Sequence, residues 1–180
     1  AYSEALKITV ITYENCNIDF IKNNQIINIS DIKRKEIAGL KLINSITLRD
    51  KTAYLSCTFG LVLIDLEKEE IKDTYKLTIE GSVCVINNMS YSLNTIYLST
   101  SCGGFYADIN SPFLNDFSNW SWASTDEDIN DIYYSETFDT ALFANTSLGP
   151  LDNTINIVTE DNMESYYCPE IVEITFVNNK

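Results

Sequence analysis

Ile43-Asn44, Ile86-Asn87 and Ile129-Asn130 stand at an even spacing of 43 residues, and the neighbouring segments keep the same register. Ala53-Tyr54-Leu55-Ser56 is answered by Ile96-Tyr97-Leu98-Ser99, and Gly60 by Gly103. A period of about 40–45 residues made of short apolar runs is the length of one four-stranded propeller blade. The fold class predicted is therefore all-β, a β-propeller of about four blades over residues 1–39, 40–82, 83–125 and 126–170, with 171–180 supplying an opening or ring-closing strand. Such a repeat speaks to architecture, and activity has to be argued from sites.

Within the best-preserved unit, 43–48 reads as a first strand, Arg49-Asp50-Lys51 as a turn, and 52–58 as a second strand rich in β-formers. Leu61-Val62-Leu63-Ile64 is apolar at every position, which suits a strand covered on both faces. In 71–77, alternation puts Ile71, Tyr75 and Leu77 on one face and Lys72, Thr74 and Lys76 on the other, the pattern of a half-exposed outer strand. The next unit repeats the order with 86–91, 95–100 and 105–109, then a longer connection containing Ser111-Pro112 before 120–123. The third has 129–134, 141–145 and 155–158, with Gly149-Pro150 and Asn153 widening its last gap. No Gly/Ser-rich or Pro-rich tether separates the units, as expected of sheets packed within one domain.

Residues 171–176 resemble the first-strand segment 43–48, while Tyr2-Ser3 resembles the first-strand endings Tyr91-Ser92 and Tyr134-Ser135. The following runs 7–13 and 17–22 then read as second and third strands. Two arrangements fit: a small ring closed by the last strand, or a segment of a larger propeller. Unpaired edges make the second costly unless another copy covers them, so a homo-oligomer through open blade edges goes with it.

A formal charge of −14, from 26 acidic and 12 basic residues, repels phosphate backbones and anionic lipid surfaces. Nucleic-acid binding is disfavoured. No apolar run approaches the ~18–20 residues that cross a bilayer, so direct membrane insertion is not expected. Ala1-Tyr2-Ser3-Glu4 carries no basic start before an apolar core, and no secretory signal is visible in this chain.

A family resemblance rests on Tyr13-Glu14-Asn15-Cys16-Asn17-Ile18-Asp19-Phe20-Ile21, on Ile29-Ser30-Asp31-Ile32-Lys33, and on Ala53-Tyr54-Leu55-Ser56-Cys57-Thr58-Phe59-Gly60 followed by Asp65-Leu66 and Glu70-Ile71-Lys72-Asp73-Thr74-Tyr75. Together these resemble the N-terminal β-propeller of PorZ-type proteins of the type IX secretion system. Ala107-Asp108-Ile109-Asn110-Ser111-Pro112 and Asp116-Phe117-Ser118-Asn119-Trp120 resemble its blade ends. The similarity runs from Ala1 to Trp122 and fades beyond. It implies a secreted, periplasmic or cell-surface protein whose propellers are related to the sensor propellers of two-component regulators, with a further C-terminal domain. It also implies a role in surface attachment of exported proteins through protein or glycan recognition, and it supplies no catalytic residues. The family usually has glycine where Cys16 stands, and a side chain disfavours the positive φ of a tight turn there.

The chain has no histidine, so neither a Ser-His-Asp nor a Cys-His nucleophilic site can be assembled within it. Paired carboxylates remain as acid–base candidates, the densest being Asp126, Glu127, Asp128 and Asp131, which read first as a solvated connection into a strand. They lack the order of an EF-hand loop. Gly103-Gly104 lacks the glycine pattern and following helix of a phosphate cradle and reads as a turn. Five cysteines, Cys16, Cys57, Cys84, Cys102 and Cys168, contain no close-spaced metal pair. Cys57 and Cys102 hold corresponding places and could approach each other, but buried free thiols are the first reading. No catalytic residue, cofactor or metal site is expected.

Trp120 and Trp122, with Tyr133 and Tyr134 further along, are the candidate ligand or partner contacts, as rings that stack on sugars or anchor a protein. Packing between sheets is their competing role. The expectation is a non-enzymatic interaction or assembly module that recognises a protein or a cell-surface glycan. Its rivals are a ligand-sensing propeller of a two-component regulator and a polysaccharide-active enzyme with a carboxylate pair.

Overall fold

In the computed structural model the described residues are 1–124, 129–136, 138–145, 154–158 and 163–167. Internal contacts divide the chain into two compact units, Ala1–Ile86 and Asn87–Lys180.

The first unit holds two antiparallel sheets, each with its four strands hydrogen-bonded in chain order. One is β1 (Tyr2–Ser3), β2 (Ile8–Thr12), β3 (Ile18–Lys22) and β4 (Gln25–Ile29); the other is β5 (Ile43–Arg49), β6 (Thr52–Cys57), β7 (Gly60–Asp65) and β8 (Glu70–Tyr75). Alternation sends Ile8, Val10, Ile18 and Phe20 of the first sheet into one cluster with Ala53, Leu55, Val62 and Ile64 of the second. The all-apolar run 61–64 is buried at every position. A short helix, α1 (Asp31–Arg34), lies between the sheets in sequence and buries Ile32. A two-stranded hairpin, β9 (Thr78–Ile79) and β10 (Ser82–Val83), follows.

The turn after Asn15 forms despite the missing glycine. Cys16 sits at φ +60, its N–H donates to the Tyr13 carbonyl at 2.8 Å, and Asn17 donates back to the Asn15 side chain at 3.0 Å. Burial of the Cys16 side chain and these bonds hold a conformation that L residues adopt at a cost.

The expected alternation along 71–77 is broken. Ile64 pairs with Ile71 but Leu63 pairs with Asp73, so Lys72 is an extra residue in β8 and the strand changes phase there. Ile71 and Thr74, expected on opposite faces, therefore share the Val62 side of the sheet.

The second unit repeats the order. β11 (Ile86–Tyr91, entering from the last residue of the first unit), β12 (Thr95–Thr100), β13 (Gly103–Asp108) and β14 (Ser121–Ser124) form one sheet. β15 (Ile129–Ser135), β16 (Thr140–Asn145), β17 (Thr154–Val158) and β18 (Met163–Tyr167) form the other. Ala123 of β14 packs with Ile129, Ile132, Ala141 and Phe143, and Tyr97 and Tyr134 cover that cluster. A Cβ on Gly104 would lie 2.8 Å from the Phe143 ring, so β13 needs glycine where this ring crosses it. Gly103 opens β13 at φ +136, closing the β12–β13 turn as its repeat position suggested, whereas Gly104, expected in the same turn, lies in the strand opposite Ser99.

Sequence reading passed over β4, α1, the β9–β10 hairpin and β18. The strand expected at 171–176, the ring closure built on it, Asp126, Glu127, Asp128 and Cys168 lie outside the described residues. Of the remaining cysteines, Cys16 and Cys57 are buried free thiols, as the first reading had them. Cys84 and Cys102 are disulfide-bonded, which corrects that reading for these two and excludes a Cys57–Cys102 disulfide.

Candidate functional site

The two tryptophans do not act as a pair. Trp120 follows a single turn of 3-10 helix, Phe117–Asn119, which starts where the Asp116 carboxylate accepts from the Ser118 N–H at 2.9 Å. That bond holds the Asp116 carboxyl below the usual aspartate range. Trp120 lies before β14, buried, and its Nε1–H donates to the Leu114 carbonyl at 2.9 Å. The indole ties the long β13–β14 connection to the sheet, so its role is packing.

Trp122 lies in β14 opposite Phe105 of β13. Their ring centroids are 4.4 Å apart at 43°, and Phe105, wholly buried, meets Phe117 edge-on at 5.6 Å. The indole is 46% exposed. It is a half-open ring backed by a fixed one.

Tyr133 and Tyr134 are consecutive on β15 and so point to opposite faces. Tyr133 is exposed. Tyr134 turns towards the β11–β14 sheet, where its backbone N–H donates to Ser90 Oγ at 2.9 Å and its ring stacks on Tyr97, centroids 5.6 Å apart and planes within 13°. Tyr97 in turn faces Tyr106, its cross-strand partner, at 6.5 Å. The Tyr134 hydroxyl donates to the Asp139 carboxylate in the β15–β16 turn. This bond above all, with some burial and the nearby negative charge, pushes the phenol up to about 12. The result is a run of three tyrosine rings across two sheets, open at Tyr106 (38% exposed) and ending on an exposed carboxylate.

The four expected contacts thus fall in four separate places: Trp120 inside, Trp122 on the Phe105 face of its sheet, and Tyr133 and Tyr134 on opposite faces of theirs. Sequence reasoning missed Tyr97, Tyr106 and Asp139. The repeat had marked Tyr97 through its match with Tyr54, but only cross-strand register joins it to Tyr106. Asp131, from the acidic cluster, is engaged within the fold, accepting from Asn88 Nδ2 at 2.6 Å and from the Ile132 N–H at 2.9 Å. Among the described residues no group of three or more His, Cys, Asp or Glu could hold a metal ion. None of their helices is long and apolar enough to cross a membrane.

Consecutive four-stranded antiparallel sheets, each laid down in chain order and packed face to face within its unit, define a β-propeller module. The family model of the type IX secretion system PorZ N-terminal β-propeller domain matches residues 1–121, and the chain belongs to that family. Its fold is similar to the extracellular domain of BT3049 from B. thetaiotaomicron, assigned to a hybrid two-component system, with TM-score 0.62 and 11% identity over 94% of this chain and 24% of that one. The extracellular domain of BT4673 from the same organism, likewise assigned to a hybrid two-component system, aligns with TM-score 0.52 and 18% identity over 94% of this chain and 22% of that one. A chain of the mitotic checkpoint complex aligns with TM-score 0.62 and 10% identity over 89% and 45%. The chain spans about a quarter of the length of the BT3049 domain. No curated protein sequence matches it.

Proposed function

We propose that the chain is a non-enzymatic recognition module of a type IX secretion-related protein outside the cytoplasm, and that it binds glycan at the Tyr106–Tyr97–Tyr134 run. The observation carrying this reading is the pairing of an open aromatic run with the exposed Asp139 carboxylate at its end. Sugar rings place C–H faces on aromatic rings while their hydroxyls donate to a carboxylate, and a tyrosine run ending on Asp139 offers both kinds of group, which supports the reading. Ring stacking on Tyr97 and the hydroxyl bond to Asp139 fix Tyr134 before any ligand arrives, which lowers the ordering cost of binding. Family membership supports the secretion context, and the extracellular domains with the same fold support the location.

The test is a glycan-array screen followed by calorimetry on wild type, Tyr106→Ala and Asp139→Asn. Asp139 is exposed, so Asp139→Asn should keep the wild-type melting temperature, whereas Tyr106→Ala loses the cross-strand contact with Tyr97 and should stay folded with a melting temperature a few degrees lower. Each should weaken a retained glycan at least about tenfold, the effect of one good stacking or charge-assisted contact. Unchanged affinity in the folded variants, or a screen with no retained glycan, would remove the reading.

A further inference from the structure

The first unit contains a cavity of about 190 Å³ that is separate from the tyrosine run. Its wall is apolar: Phe59, Val62 and Ile71 from the β5–β8 sheet, and Ile32 and Ile37 from the segment carrying α1. Thr74 completes it because the extra residue Lys72 brings Thr74 onto the same face as Ile71. Bulges that re-aim a side chain in this way are over-represented beside functional sites. The opposite wall is fixed in advance. Lys41 Nζ donates to the carbonyls of Ile32, Lys33 and Lys35 at 3.1, 2.9 and 3.1 Å, tying the α1 segment down, and Ile32 is buried beneath it.

The charge of the lining runs against the rest of the chain. Lys35 and Lys76 both line the cavity, both are exposed, and neither forms an ion pair among the described residues. The one carboxylate there, Asp31, is engaged by Arg34 at 3.2 Å. A chain of net charge −14 thus presents two uncommitted ammonium groups beside an apolar hollow. An apolar cavity of about 150 Å³ accepts a benzene ring. The volume here suits one such ring, and the lysines suit an anion attached to it.

We propose that this cavity binds a small aromatic monocarboxylate, with the ring against Val62, Ile71 and Ile32 and the carboxylate between Lys35 and Lys76. The proposal is independent of glycan binding by the second unit.

Phenylacetate is the probe, titrated into the 180-residue chain and followed by the methyl resonances of Ile32, Ile37, Val62 and Ile71. Saturable shifts confined to these methyls are expected. Phenylacetamide, with the same ring and no charge, should bind about tenfold more weakly, and acetate should give no saturation. Lys35→Ala combined with Lys76→Ala alters only exposed side chains and should weaken phenylacetate about tenfold or more while leaving the melting temperature unchanged. Thr74→Phe should fill the cavity and abolish the shifts; if it fails to fold, the double lysine variant decides alone. Absent or non-saturating shifts, equal affinity for acid and amide, or unchanged affinity in the lysine variant would each overturn the proposal.

Discussion

Asn44 Nδ2 donates to the carbonyl of Ile86 at 2.7 Å, and 43 residues on Asn87 Nδ2 donates to the carbonyl of Ile129 at 2.8 Å. The asparagine of the dipeptide that announces the repeat thus bonds, within each unit, the carbonyl of the isoleucine one period on. In β5, Ile43 pairs with Cys57 and Ser45 with Ser56, so Asn44 is the extra residue of a bulge, and leaving the ladder frees its side chain to reach onward. Removing that amide leaves a carbonyl of buried Ile86 short of a partner. Asn44→Ala and Asn87→Ala should each cost about 1–2 kcal/mol in urea unfolding. Losses within error in both would show that the bonds follow packing without contributing to it.

A second pair of repeat-related residues should respond with opposite signs. Ser99 Oγ accepts from the Asn88 N–H at 3.0 Å and donates to the Asn88 carbonyl at 3.3 Å. Its counterpart Ser56 is wholly buried opposite Ser45, and neither hydroxyl has a hydrogen-bond partner among the described residues. Ser99→Ala should destabilise by about 1–2 kcal/mol, whereas Ser56→Ala removes a desolvated, unsatisfied group and should stabilise by about 1 kcal/mol. Thermal melts of the two variants check the sign; a loss in both would mean that Ser56 contributes a bond of its own.

These contrasts mark what sequence could and could not convey. The period fixed the order of the strands because every turn of the repeat buries the same apolar positions, as at Leu55 and Leu98. Strands with little burial escaped notice: β4 reads Gln25-Ile26-Ile27-Asn28-Ile29, and only Ile29 is buried. Thr74 was assigned to the wrong face because a bulge at Lys72 depends on pairing with β7, which no local pattern reveals. The tyrosine run escaped for the same reason. Its members come from β12, β13 and β15, and only register brings them together.

Cys16 and Cys57 give a chemical readout of the first unit's integrity. Burial pushes both thiols up, and for Cys57 the neighbouring Cys16 adds to the effect. The thiolate is the reactive form, so a raised pKa and exclusion of solvent both protect these residues. Iodoacetamide at neutral pH should leave the peptides bearing Cys16 and Cys57 unmodified in the native protein and label both in urea, as read by mass spectrometry. Labelling of either without denaturant would contradict a closed core around them.

Asp19 and Asp65, both half-buried, and exposed Asp116 contribute stability that acid removes. Asn28 Nδ2 and then the Tyr13 hydroxyl donate to Asp19, the Lys68 and Glu67 N–H groups donate to Asp65, and Ser118 donates to Asp116, so each carboxyl is held below its ordinary value of 3.8. With the folded-state value below the unfolded one, the unfolded chain takes up protons first as pH falls. The stabilisation is therefore complete above the ordinary value and is lost as pH drops through the lowered ones. Asp65→Asn separates charge from geometry, because its amide oxygen can still accept from Glu67 and Lys68. Its melting temperature should lie below wild type at pH 7, and the difference should close as pH falls below 3.8. A difference that stays constant across that range would assign the effect to turn geometry and remove the carboxylate from the account.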